Sequence, residues 1–287
     1  MTKFYRIAGL TIRLDAPFSF QVNDATEAFR VSASTPDWTV TCSVHAQLDA
    51  QETLPIRFGN FRAGTAQGVV TRTYLGVENR PYMQAVEAVD APERMELRFS
   101  QQDLSWSART MRLWLGVGLQ HQLLLRGMAL LHASCINADG RAILFAAPSG
   151  TGKSTQAALW EQTRGAEIIN GDKIAVGFTD GRSCAFGVPV CGTSGICKNA
   201  VLPLKAIVLL SQAAENEVQH LRGGAALAQV CGNAVFDDWR VGEAALLMER
   251  MSRVLADVPV FALACTPDER AVETLEQALR RVEGEIR

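Results

Sequence analysis

Excess charge is the first thing this chain lacks. Lys and Arg number 28 against 30 Asp and Glu, and no long basic run occurs. Nothing here would hold a polyanion, so a nucleic acid partner is not expected. No stretch approaches the ~20 consecutive apolar residues of a membrane span. The opening MTKFYRIAGLTIRLDAPF has no secretory apolar block. The expectation is a cytoplasmic protein with no membrane partner. Its seven cysteines are scattered and odd in number, which suits a reducing compartment better than a disulfide framework. Cys191 and Cys197 lie close together, but no CxxC or His-x-His pattern accompanies them, so zinc is not expected there. Internal repeats and low-complexity segments are missing too. At 287 residues the chain can bury roughly three quarters of its unfolded surface. It remains able to hold a compact anion at one site.

The first hundred residues read as β structure. FYRIAGLTIRL, WTVTCSVHAQL, GVVTRTYLGV and RMELRFS alternate with period two between Pro, Gly, Asn and Asp, a pattern of antiparallel strands. The expected division is a β-rich domain over 1–105 and a mixed α/β domain over 106–287. SARTMRLWLGVGLQHQLLLRGM carries a broad apolar stripe and reads as a packed helix bridging the two, weakened by Gly116 and Gly118. ALLHASCIN and RAILFAA then read as strands joined by a turn at 138–140. A helix is predicted from Lys153 to Thr163. AEII, KIAVGF, CAFGV and KAIVLLS are further strands, and two late helices, near 240–256 and 268–282, flank VPVFALAC. Thr266 before Pro267 suggests the N-cap of the last helix.

AILFAAPSGTGKSTQAALW carries the chemistry. A phosphate loop has the pattern G-x-x-x-x-G-K-[ST] between a strand and a helix. Here Ala147 occupies the first Gly position, followed by Pro148, Ser149, Gly150, Thr151, Gly152, Lys153, Ser154 and Thr155. Gly150 and Gly152 let backbone N–H groups turn inward around phosphate oxygens. The helix N-terminus adds unpaired donors and partial positive charge. Lys153 would neutralise the outer phosphates and the Ser154 hydroxyl would ligate Mg²⁺. The ligands expected are ATP and Mg²⁺; the plain alternative is a Gly/Ser turn with an incidental lysine.

Ordinary phosphate-loop ATPases place a metal-organising acid at the end of a later strand, but KAIVLLS ends in Ser211 and Gln212. The first good carboxylate after the loop is Asp172 in AEIINGDKIAV, nineteen residues beyond Lys153 (172 − 153). This order resembles the HPr kinase/phosphorylase and phosphoenolpyruvate carboxykinase superfamily, which carries S-G-x-G-K-[ST] after a strand and soon afterwards an acidic turn. His132, in LLHASCINADG, precedes Ala147 by fifteen residues (147 − 132), as the active-site histidine of HPr kinases precedes their loop. GTSGICKN and CTPDE resemble segments of HPr-kinase-like proteins found beside peptide-modifying enzymes. The resemblance covers roughly 129–212 and departs at Gly171, which stands in place of the first acid of the usual pair. It implies an α/β phosphate-loop core and, less closely, the C-terminal helices; it does not extend to the β-rich N-terminal domain read above.

The resemblance also implies roles. Asp172 would be the general base and a metal ligand through water, although Asp commonly only shapes such turns. His132 would hydrogen-bond Asp172 or a phosphate oxygen, unless it is a satisfied core residue. Gly192, Thr193, Ser194 and Gly195 would close over phosphates with Lys198 as clamp, or form a surface loop. Lys173, Arg182 and Arg240 lie near element ends, and Trp160 and Trp239 are expected to pack. The expected activity is transfer of a phosphoryl group from ATP to a Ser- or Thr-type hydroxyl of a peptide or protein. Two alternatives are a small-molecule kinase, for instance of free serine, and a non-catalytic nucleotide-gated module serving a peptide-modifying enzyme. Homo-oligomerisation is also expected from the resemblance.

Overall fold

A computed structural model describes residues 1–19, 24–50, 54–107, 114 and 116–285. Within it the chain divides into two units between Gln122 and Leu123. The described residues of 106–122, grouped by sequence with the second domain, fall in the first. Among the described residues no helix is long and apolar enough to cross a membrane.

The first unit is a nine-stranded sheet. Its strands are β1 (Thr2–Ile7), β2 (Leu10–Asp15), β3 (Arg30–Val31), β4 (Trp38–His45), β5 (Ile56–Phe58), β6 (Phe61–Ala66), β7 (Val69–Leu75), β8 (Pro81–Ala88) and β9 (Arg94–Ser100). Short helices α1 (Asp24–Glu27) and α2 (Leu104–Ser107) accompany them. The order is β3-β1-β2-β4-β9-β8-β7-β6-β5. Ala8 and Gly9, both at positive φ, form the tight turn that a two-residue hairpin requires between β1 and β2. Period-two alternation is real in β4, where Trp38, Val40 and Cys42 are buried. The antiparallel expectation fails at β4, which runs parallel to both β2 and β9. Alternation records which face is buried and carries no information about a neighbour's direction.

The bridging helix over 107–128 is corrected in its described part. A helix, α3, covers Leu119–Leu125. Gly118 has a φ of 75°, a left-handed conformation that stops a helix from running through it. Residues 108–113 and 115 of that segment lie outside the described residues.

The second unit surrounds a second nine-stranded sheet. Its strands are β10 (Ala129–Ala138), β11 (Arg141–Ala146), β12 (Glu167–Asn170), β13 (Lys173–Thr179), β14 (Arg182–Gly187), β15 (Val201–Gln212), β16 (Glu217–Leu221), β17 (Ala234–Val235) and β18 (Val260–Cys265). Helices α4 (Lys153–Arg164), α5 (Gly223–Cys231), α6 (Glu243–Val254) and α7 (Glu269–Glu285) complete it. The turn joining β10 to β11 holds Asp139 and Gly140 at φ of 53° and 79°, as a primed hairpin turn demands. Pairing closes a ring, with β10 beside β11 and β13, β14 beside β13, and β15 beside both β14 and β11. The β11–β15 and β15–β18 pairs are parallel.

Because successive side chains point to opposite faces, β11 feeds two cores. Leu144 and Ala146 join Met251 and Val230 on the side of α5 and α6. Ile143 and Phe145 join Trp160 and Leu275 on the side of α4 and α7. Arg164 strengthens the second contact through ion pairs of 2.9 Å to both Glu269 and Glu276. The cap of α7 also differs from expectation. Asp268, not Thr266, accepts the Arg270 N–H, at 3.1 Å, because the helix starts at Glu269 and an N-cap must stand just before it.

Phe145 is fully buried, with its ring centroid 6.4 Å from that of Trp160. Phe145→Ala should cost about 3–5 kcal/mol, read as an earlier urea transition of the full chain.

Candidate active site

The loop after β11 leads directly into α4. Gly150 and Gly152 have φ of 80° and 119°, conformations that side chains rarely adopt. A Cβ at either would meet no atom within 4 Å, so the space above the loop is open. Gly152 directly precedes α4, leaving the first amides of that helix without intrahelical partners. Ser154 and Thr155 are exposed at its start. Ala147 is not among the residues with positive φ, and its methyl lies in the apolar layer beneath α4. Alanine therefore replaces the first glycine without backbone strain.

Lys153 is buried, and its Nζ donates to the carbonyls of Ala147 at 2.9 Å and Pro148 at 3.2 Å. Burial lowers its proton affinity, with Lys173 adding to the effect and the Asp172 carboxylate opposing it. The ammonium thus lies within the electrostatic reach of Asp172.

Strand β10 brings the histidine to the same place. Ser134 donates to the Lys153 carbonyl at 3.1 Å, and His132, two residues earlier, shares its face of the strand. His132 Nε2 lies 3.1 Å from Asp172 Oδ1, while Lys173 Nζ lies 2.7 Å from Oδ2. Burial first, then Lys153 and Lys173, hold the imidazole below the ordinary histidine range, and Asp172 only partly offsets them. That shift favours the neutral imidazole, in which Nε2–H donates to the carboxylate.

Asn170, fully buried at the end of β12, shapes the turn. Its Oδ1 accepts the backbone N–H of Asp172 at 2.8 Å and of Lys173 at 3.0 Å, and its Nδ2 donates to Val188 O at 2.9 Å. The 192–195 segment packs against this turn. A Cβ on Gly192 would come within 2.8 Å of Asp172 Cγ, and one on Gly171 within 2.1 Å of Ser194 Oγ. Gly171 thus stands where an acid was expected because Ser194 fills the space an acid would need.

Other residues singled out by sequence lie apart from this arrangement. Lys198 is half-exposed and pairs with Glu167 at 2.8 Å. Arg182 is exposed, and Arg240 pairs with Asp237 at 3.2 Å and lies over the Trp239 ring. Trp160 is core. Burial and mutual contact raise the Cys197 thiol beside Cys191. No group of three His, Cys, Asp or Glu suited to a metal occurs among the described residues. A phosphate-bound Mg²⁺ keeps waters and needs only one or two protein oxygens, so Ser154 and Asp172 suffice in kind. Sequence reasoning missed Asn170 and Gln156; the Asn-Gly-Asp turn signal hinted at the first.

No family model matches the chain, and no curated protein matches it. Among solved structures it is similar to the HPr(Ser) kinase/phosphatase from Coxiella burnetii, at 13% identity and a TM-score of 0.31. The match covers 54% of this chain and 98% of that one.

Gly171→Ala should destabilise the full chain by about 1–3 kcal/mol through overpacking. Adding Ser194→Gly should restore most of the loss, measured by thermal unfolding.

Proposed function

We propose that the chain is a kinase that moves the γ-phosphoryl group of ATP onto a Ser- or Thr-type hydroxyl of a peptide or protein. The observation that carries this reading is the Asp172 carboxylate, held between His132 and Lys173 and acting electrostatically on the lysine of a glycine-lined loop. Bound MgATP supplies the phosphoryl group. The loop amides and Lys153 hold its phosphates, and Ser154 with Asp172 provides the metal's protein oxygens. Asp172 takes the proton from the acceptor hydroxyl. His132 is a positioning residue, fixing the carboxylate through Nε2–H, and Lys173 holds the other oxygen. The 192–195 segment would cover the phosphates. The β-rich unit would dock the acceptor.

A non-catalytic nucleotide-gated module is the second reading, motivated by Gly171 in place of an acid. Acceptor-dependent ADP release separates the two: a kinase shows it, a module does not. Asp172→Asn should abolish transfer while MgATP still binds, and normal product formation by that variant would sink the assignment of the base. MgATP at ~100 times its dissociation constant should stabilise the wild type by roughly 2.7 kcal/mol. Lys153→Ala should lose that shift, and no shift in the wild type would overturn the nucleotide reading.

The depressed His132 value sets the pH dependence. Neutral His132 persists below the ordinary histidine value of about 6.5, so kcat should stay level from pH 7.5 to 6.5 and fall only at lower pH. The sign for stability is the same: the contribution of neutral His132 is complete above about 6.5 and is lost as pH falls through the folded-state value. His132→Ala should lower kcat with little change in KM for MgATP and remove its share of the acid limb. An unchanged kcat would refute the positioning role.

A further inference from the structure

A cavity of about 400 Å³ opens beside the phosphate loop, between Gly150, Gly152 and Thr155 on one side and Leu210, Cys265 and Pro267 on the other. Topology places it there. β11 delivers the loop, while β15 and β18, successive parallel neighbours, end at Gln212 and Cys265. The carboxyl ends of three parallel strands and the start of α4 thus frame one crevice. Its size falls within the roughly 300–1,000 Å³ of small-molecule sites.

The inward face of α4 presents four buried residues, Lys153, Gln156, Ala157 and Trp160. Two are apolar core and one is the loop lysine, which leaves Gln156 to be explained. It is 2% exposed and lines the cavity. Its Nε2 donates to Cys265 Sγ at 3.4 Å. Its Oε1 meets no donor among the described residues. A buried carbonyl oxygen rarely stays without a donor, and an N–H from a ligand in the cavity would supply one. The walls suit a flat heterocycle, since Leu210 and Pro267 are apolar. The Gln212 amide reaches the carbonyls of Gly150 and Thr151 at 3.4 and 3.5 Å, joining the cavity wall to the loop.

We infer that this cavity receives the base of the nucleotide, and that Gln156 Oε1 accepts a hydrogen bond from the base's exocyclic amino group. The inference rests on the triphosphate reading above and adds to it a selection for amino-bearing bases, adenine first.

The test titrates the full chain with Mg²⁺ and three probes by calorimetry: inorganic tripolyphosphate, ATP, and purine riboside triphosphate, which lacks the amino group. ATP should bind the wild type at least about tenfold more tightly than purine riboside triphosphate, because a site built for a donor rejects an analogue without it. Gln156→Leu should reduce that preference to within about twofold and leave tripolyphosphate binding unchanged. Should that variant fail to fold, Ala213→Trp serves instead. Ala213 is exposed and lines the cavity, so the indole should weaken ATP by at least about tenfold and spare tripolyphosphate. Equal binding of ATP and purine riboside triphosphate, with tripolyphosphate still bound in a Lys153-dependent way, overturns the base inference and leaves the phosphate reading standing. If tripolyphosphate does not bind at all, the phosphate reading falls and the base inference with it.

Discussion

The arrangement at the site depends on the carboxamide of Asn170. Fully buried, it accepts two consecutive backbone N–H groups with one oxygen and donates its nitrogen to Val188. That bond pattern turns the chain sharply after β12 and starts β13 in register with β10, where Lys173 faces His132. Without it neither Asp172 nor Lys173 would be aimed at the histidine. The same turn accepts the 192–195 segment, because Gly171 offers no side chain to obstruct it. A buried polar group of this kind is costly unless all its bonds are made, so the turn has one well-defined conformation.

The charges gathered here do not cancel. Lys153 and Lys173 face one carboxylate, Asp172, and the two lysines together help keep His132 from adding a third positive charge. The remaining positive charge is compact and partly desolvated, which strengthens its effect on an anion nearby. This reconciles a chain with nearly balanced overall charge with a locally anion-seeking site.

The strongest sequence signals were the local ones. The strand, glycine loop and helix around Lys153, and the Asp139-Gly140 turn, are each written within a few neighbouring residues. The ring formed when β11 pairs parallel with β15 is not, since these strands are separated by the whole of α4 and three further strands. The run between β15 and α6 also escaped assignment: β16, α5 and β17 are short and only partly buried. In the first unit the parallel direction of β4 left no trace in its alternation. At the site, the order of histidine, loop and acid was legible, and the structure does bring His132 and Asp172 together. Asn170 was not, because a turn asparagine and a fully bonded buried one are the same letter. Gln156 was hidden for a related reason: whether an amide has a partner is decided by tertiary packing alone.

The position of Lys153 has a consequence for how tightly anything can be held. Its ammonium is partly desolvated and hydrogen-bonded to two carbonyls of its own loop. An arriving anion competes with those carbonyls for the same hydrogens. Affinity at this lysine is then a difference between two sets of bonds rather than the full strength of either. Release should be easier than the bare charge suggests, since the departing anion leaves behind a lysine with partners waiting.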